Sequence, residues 1–568
     1  MSNSMIEATP LPEHPGASLE AEHKESPLRT LKFCALALIL CILVSVAPLF
    51  RLAGKSFLLQ LPSNSFLLVW GAWLPSDLRL AQLPRASMLA TNDIVMLVLL
   101  VLQFGIYTFC IIALYRLPAL EHYKSVLRVI LLGAIAAGLI YVLTPAMPSR
   151  DIFVYAGYGR TIVVHHANPY FVPFSAFPQD PLFSFDDWKT SIAAYGPAWL
   201  AICSIGAFFL GNAPVAYVLA FRLFGLGTFL LNTWLVYAIL RKMGRSSRTV
   251  VIGTLLFAWN PLVLLESCLG GHNDTLMITF MLLGILLCLR AEQHNFARPL
   301  RYLPPIIAFT LAALVKFTAL PLVLLYLIFL ARSTLYPVPL ATLANQQKTS
   351  PLWGAMFFKV LLATVTGSLL GLLFYAPFFI EHSIYDILHS FSSPPSSYFS
   401  ENSLLRAMVE WIKARGLPAP TSWTYTIVFE LSHRPAWDTL NFVVLLSILL
   451  IGAICVWRIP TTRTIVLVAL AAFGVLFVIT PWFFSWYVTW LVGLAAVSLS
   501  ATYNPIERGL VAFSLAFSAT AFVTYSAIAH WSVLSWLVMI APPMLAFSAF
   551  VAFKQKPTLH YWNLHRNR

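Results

Sequence analysis

The chain has 568 residues, of which 59% are hydrophobic, 14% aromatic and only 10% charged, and its mean hydropathy is +0.79. A soluble globular protein carries roughly 45–50% apolar and about 25% charged residues, so this composition excludes one, and with it disorder, a disulfide scaffold and nucleic-acid binding as the main activity. The net charge of +14, from 36 Lys and Arg against 22 Asp and Glu, lies mostly in short segments between apolar runs, where basic residues orient spans and meet anionic headgroups.

Residues 1–30, with Glu7, Glu13, Glu20, Glu22 and Glu25, read as a flexible cytoplasmic tail with no signal peptide ahead of the first span. From 31 to 553 the chain reads as one membrane domain, because runs of about 20 apolar residues recur, each able to cross about 30 Å of hydrocarbon as a helix. The expected spans are 31–50, 94–115, 126–147, 194–211, 214–241, 248–269 and 274–290, then 305–330, 354–378, 439–457, 464–480, 484–500, 509–527 and 532–553. This predicts an all-α polytopic membrane protein of about 12–14 helices, closed by a basic cytoplasmic tail over 554–568. Three polar connections, 51–92, 148–193 and 379–438, are too long for turns and are where function is expected to concentrate. Within the last, Leu404 to Ile412 reads as a short amphipathic helix on the membrane surface. The seven cysteines all fall in apolar stretches without a CxxC pair and read as small core residues.

Lys24, Arg29 and Lys32 before the first span, and Arg116, Lys124 and Arg128 after the second, place the N-terminus in the cytoplasm and loop 148–193 outside. Counting back from Lys554, Lys556, Arg566 and Arg568 also puts 379–438 outside. Two parity conflicts remain. Arg241, Lys242, Arg245 and Arg248 require an odd number of crossings after Asp151, where two spans are expected, and 305–330 is flanked by cytoplasmic-looking segments on both sides.

In the stretch Ser149-Arg150-Asp151 to Arg160, closed by Asn168-Pro169-Tyr170, a helix over 151–166 places Asp151, Tyr155 and Tyr158 on one face, with Ser149 as its N-cap. The helix dipole and Arg150 favour a carboxylate at Asp151, able to act as general base, although a plain helix-start residue fits the motif equally well. Downstream, Gly271-His272-Asn273-Asp274 opens an apolar run; Asn273 and Asp274 suit a cap and His272 a phosphate or sugar site, while Glu266 is an ionisable group inside a span, either a mark of function or a structural side chain that snorkels or is protonated. Lys316 and Arg222 are cations embedded in apolar sequence. Asp186-Asp187 could take a divalent metal ion, but adjacent residues share no face and a solvated pair is the simpler reading. Trp482, Trp486 and Tyr487 suit an interfacial belt or a sugar-stacking platform.

Taken in order, Asp151-(x)3-Tyr155-(x)2-Tyr158-Gly159-Arg160, Asn168-Pro169-Tyr170, Tyr195-Gly196-Pro197, Trp259-Asn260-Pro261, Gly271-His272-Asn273-Asp274, Lys316, and Pro481-Trp482 with Trp486-Tyr487 resemble the membrane glycosyltransferases of the C-type fold (GT-C), in the bacterial mannosyltransferase branch. The resemblance spans roughly 145–490. It implies an inverting transfer of a sugar, mannose in this branch, from a polyprenyl-phosphate donor to a hydroxyl of a glycan or lipid-linked acceptor, on the extracytoplasmic side of a bacterial plasma membrane. Asp151 is then the base; Arg150, Arg160, His272 and Lys316 face the donor phosphate; Tyr155, Tyr158, Asn168, Tyr170, Asn273, Asp274 and Trp482 contact sugar or acceptor. A single acidic residue stands where some relatives carry Asp-x-Asp, so no cofactor follows from the motif and a divalent ion stays open. The partners implied are the donor, the acceptor and membrane lipid, with no nucleic acid. The rival reading is a transporter or flippase, which would show an internal repeat and polar residues at the bilayer midplane; no repeat is visible between the halves.

Overall fold

A computed structural model describes residues 28–45, 85–116, 123–144, 149–337, 351–380, 382–392, 400–415, 434–500, 504–525 and 532–552. The expectations for 1–27, 51–84, 554–568 and the stretches 393–399 and 416–433 lie outside the described residues. What is described is all-α; the extended pairing outside helices is one parallel bridge, Glu401 with Trp482.

The first half comprises α1 (Leu28–Ser45), then α2 (Arg85–Arg116), α3 (Tyr123–Leu143), α4 (Asp151–Val163), α5 (Pro197–Leu210), α6 (Pro214–Lys242), α7 (Ser247–Ala258), α8 (Pro261–Leu264) and α9 (Asp274–Gln293). The second comprises α10 (Pro299–Val315), α11 (Leu320–Leu335), α12 (Trp353–Phe379), α13 (Ile384–Ser392), α14 (Leu404–Arg415), α15 (Arg434–Arg458), α16 (Thr462–Ile479), α17 (Val488–Ser498), α18 (Pro505–Thr520) and α19 (Ser532–Ala552). Among the described residues eleven helices are long and apolar enough to cross a membrane, or twelve if the bent pair α7 and α8 is one span.

Three expected spans take another form, and two of these differences remove the parity conflicts. Segment 194–211 folds as α5, 14 residues long. At 1.5 Å per residue that is about 21 Å, too short for about 30 Å of hydrocarbon. Its far end stays beside the end of α4 and the loop that follows it, where Gly211 accepts a hydrogen bond from Arg160 at 2.7 Å, so α6 alone carries the chain to Arg241 and Lys242. Segment 305–330 is two helices, α10 and α11, reversing at Lys316, so both flanks lie on one face. Segment 484–500 shortens to a 3₁₀ turn and α17, every residue of which is buried, as expected of a short helix apolar all round.

The run 248–269 bends by 50° between α7 and α8, because Pro261 cannot donate to the preceding turn. Asn260 restarts the helix by accepting from the Leu262 and Val263 amides at 3.1 and 3.2 Å. A π turn, Leu265–Leu269, follows; such turns insert an extra residue and recur at functional sites. The buried Arg222 of α6 donates to the Leu269 carbonyl at 2.8 Å and to the Thr144 carbonyl, tying this turn to the end of α3.

The ends of the long helices sort by charge. On one face Arg248 donates to the Tyr115 carbonyl at 3.3 Å, Gln293 to the Lys242 carbonyl at 3.3 Å and Arg245 to Ser500 at 3.2 Å. Arg463 pairs with Glu507 at 2.6 Å on the same face. The opposite ends carry Asp151, Glu266, Asp274 and Lys316.

Candidate active site

The acidic end of the helices opens into a cavity of about 1200 Å³. Its wall begins at α4. The helix starts at Asp151 as expected, with Arg150 rather than Ser149 at the N-cap position; the Ser149 hydroxyl still accepts the Asp151 amide at 3.2 Å. It ends at Val163 rather than 166. Asp151 and Tyr158 line the cavity, while Tyr155 is fully buried against Trp199 and Tyr195, with ring centroids 4.9 and 5.6 Å away.

Behind Asp151 lies a buried row of ionisable groups. Its Oδ2 is 3.4 Å from His272 Nδ1, and His272 Nε2 is 3.3 Å from Glu266 Oε2, at ion-pair distance. The π turn presents Glu266, whose carboxylate also accepts from Ser485 at 2.7 Å and from Tyr525 at 2.9 Å. The His272 ring stacks on Trp486 at 4.0 Å, and Trp486 on Phe484 at 4.4 Å. His272 stands in the turn between the spans, where Gly271 takes φ +63°, a conformation that costs glycine little. Burial alone would pull the imidazole down, but the Asp151 and Glu266 carboxylates outweigh it and raise the group to about 9, so the ring is an imidazolium at neutral pH, favoured further by the Trp486 face.

A second buried ion pair adjoins the first. Asp274 opens α9, yet its side chain does not cap the helix: Oδ1 accepts from Lys316 Nζ and from Trp490 Nε1, both at 2.7 Å. Lys316, at the reversal between α10 and α11, lines the cavity and sits 4.1 Å over the Tyr487 ring and 4.9 Å over Trp490.

The remaining sequence candidates divide by position. Arg150, Tyr170, Trp482, Trp486 and Tyr487 line the cavity with Asp151, Tyr158 and Lys316. Asn273 is buried behind it, its amide N–H 3.5 Å from the Tyr155 hydroxyl. Asn168 turns away: its amide donates to the Phe378 carbonyl and its oxygen accepts the Tyr170 amide at 3.1 Å. Arg160 is also elsewhere, buried with its guanidinium on Asp180 at 2.8 Å, where His165 joins at 2.7 Å. Asp187 pairs with Arg150 at 3.1 Å, whereas Asp186 is buried and accepts the Trp188 amide at 2.7 Å. Burial, with Asp187 and Asp151 adding to it, pushes the Asp186 carboxyl up to about 7. The two carboxylates thus serve different partners, and no group of three His, Cys, Asp or Glu able to hold a metal occurs among the described residues. The donor set does not fit a divalent ion.

Sequence reasoning passed over Ser485, Tyr525 and Trp490, which reach the acidic groups from 216 or more positions away, and the Glu401–Arg406–Glu410 group at the rim. Only Arg406 and Glu410, at i,i+4 spacing, carried a local signal.

The fold and site together define the class: an all-α polytopic membrane protein, with a charged, aromatic-walled cavity at one end of its helices. Residues 63–332, a little under half of the chain, match the family described as alpha-(1->6)-mannopyranosyltransferase, N-terminal domain. Similar proteins are alpha-(1->6)-mannopyranosyltransferase A of Mycobacterium tuberculosis, 30% identical over 172 residues, 30% of this chain and 31% of that protein, and a probable alpha-(1->6)-mannopyranosyltransferase of Mycolicibacterium smegmatis, 30% identical over 236 residues, 40% of this chain and 39% of that protein. Over the matched stretch the chain is similar to these mycobacterial mannosyltransferases, and that stretch spans about a third of the length of the curated relatives. The family match contains Asp151, Glu266, His272, Asp274 and Lys316; Glu401 and the Trp482–Trp490 segment lie beyond it.

Proposed function

We propose that the protein is a membrane mannosyltransferase that moves mannose from a polyprenyl-phosphate donor to a hydroxyl of a glycan or lipid-linked acceptor, forming an α-(1→6) bond with inversion. The observation that carries this reading is the Asp151 carboxylate on the wall of the cavity, held from behind by the His272 imidazolium, which Glu266 in turn holds. A carboxylate so placed accepts the proton of the acceptor hydroxyl as its oxygen attacks the anomeric carbon. The bond from that carbon to the phosphate oxygen breaks, and the lipid phosphate leaves with the electron pair. Lys316 has one N–H committed to Asp274 and two others to offer the charge growing on the departing phosphate. Arg150, also on the wall, is a second cation for it.

The topology supports the side. With α5 outside the count and α10 and α11 counted separately, the segments carrying Arg116, Arg241 to Arg248 and Arg463 fall on one face and the cavity on the other, as the positive-inside bias requires for an extracytoplasmic site in a bacterial plasma membrane. Concentration of the polar groups at helix ends also favours an enzyme over a transporter. The test is label transfer from polyprenyl-phosphate [14C]mannose in membranes holding the wild type or Asp151→Asn. Transfer by the wild type alone is expected; equal transfer by both removes Asp151 from the reaction, and none from any lipid-linked sugar rejects the transferase.

A further inference from the structure

One part of the cavity lining is apolar or aromatic, with Phe317, Tyr375, Leu476 and Phe477. A second part, a rim built from the segment 400–415, the loop before α5 and the turn ahead of α17, is aromatic and polar: Trp188, Trp482, Glu401, Asn402 and Arg406. We propose that this second rim is a binding subsite for an uncharged, hydroxyl-rich saccharide chain, the acceptor, in which Trp188 and Trp482 form the stacking corner and Glu401 and Arg406 read ring hydroxyls. The proposal rests on the transferase reading above and deepens it.

The rim is built. The Glu401 amide donates to the Pro481 carbonyl at 2.9 Å, the Phe483 amide to the Glu401 carbonyl at 3.1 Å, and the Asn402 side chain to the Phe483 carbonyl at 3.2 Å. Glu401 is therefore fixed against Trp482, the residue it bridges. The Leu405 and Ala407 side chains are buried and α14 packs on α19, which turns Arg406 toward the cavity. The Trp188 and Trp482 rings lie 5.4 Å apart at 67°, offering two faces at an angle. A pyranose ring has one face of C–H groups that packs on an indole, while its rim of hydroxyls needs directional partners.

The charges specify an uncharged ligand. Arg406 pairs with Glu401 and, at 2.9 Å, with Glu410. With its charges met internally, the rim leaves N–H donors and carboxylate lone pairs for hydroxyls, and its surplus of carboxylates repels an anionic polymer. These side chains are only partly buried, at 42%, 37% and 36% exposure for Arg406, Glu401 and Glu410, so a ligand can reach them.

The test uses the purified full-length protein without donor. Tryptophan fluorescence is titrated with α-(1→6)-linked mannotriose and, for comparison, with trigalacturonate. Saturable quenching by mannotriose only, weakened about tenfold or more in Arg406→Ala and in Glu401→Gln, is expected. In the transfer assay both variants raise the acceptor KM about tenfold and leave the donor KM within twofold, which also certifies their fold. No binding by the wild type, equal binding of the anionic trisaccharide, or variants that change only the donor KM would each overturn the subsite. If the wild type binds mannotriose and transfers from no lipid-linked sugar, the subsite stands and the transferase reading falls; if it transfers while the variants keep the acceptor KM, the subsite falls alone.

Discussion

Glu266→Gln separates a structural role for the buried acidic row from a role in positioning Asp151. Gln keeps the shape and can still accept from Ser485 and Tyr525, so what is lost is one negative charge 3.3 Å from His272 Nε2. At that distance two unit charges interact by about 5 kcal/mol with an effective dielectric constant of about 20. Half of that moves the imidazole midpoint down by about two pH units, at about 1.4 kcal/mol per unit. The wild-type ring, at about 9, is cationic below that pH and loses its hold on Asp151 above it. In the wild type the rate therefore declines as pH rises through about 9, and in Glu266→Gln through about 7. Initial rates of mannose transfer between pH 5.5 and 9.5 are the assay. A loss of about tenfold at pH 8 that vanishes at pH 6 is expected; a uniform loss at every pH, with the alkaline limb still near that of the wild type, would refute the reasoning.

Arg160→Ala removes the cation from Asp180, buried with 0% side-chain exposure and left with His165 and the Leu182 amide as partners, and is expected to cost about 3 kcal/mol of stability; a lowered Tm with the donor KM of the surviving folded protein unchanged checks it. Asp186 has a folded-state midpoint of about 7, well above the 3.8 of a free carboxyl, so between those values the folded state binds more protons and stability falls as pH rises. Asp186→Asn, a neutral mimic, should raise Tm at pH 8 and leave it little changed at pH 4; an equal shift at both would count against this. Lys316→Gln removes a charge-assisted contact to the departing phosphate worth about 1.5–3 kcal/mol and should lower kcat by roughly tenfold or more, with the acceptor KM unmoved in steady-state assays.

What the sequence revealed followed local rules. Apolar run length located most spans, and the start of α4 at Asp151 followed from the change from polar to apolar residues. Periodicity put Tyr155 on the face of Asp151, but a three-residue or four-residue spacing does not say which side chain the neighbours cover, and Trp199 from α5 covers this one. The reversal at Lys316 left one local sign, Pro321 in the first turn of α11, inside a run otherwise apolar; the chain turns there since Lys316 finds Asp274 and two aromatic rings. Asp274 reads as a cap by its position, and only the arrival of α17 with Trp490, 216 positions on, gives its carboxylate another task. Charge bias becomes self-consistent along the chain once the short α5 is taken out of the count.

Gly196 has a mechanical consequence. A methyl group there would lie 2.0 Å from the Leu314 carbonyl oxygen, and the Gly196 amide donates to the Val315 carbonyl at 3.1 Å. The backbone just ahead of α5 is thus clamped, without a gap, to the turn that carries Lys316, and these two portions of the wall move as one rigid body. Any widening that lets a substrate in or a product out has to be supplied by other parts of the boundary.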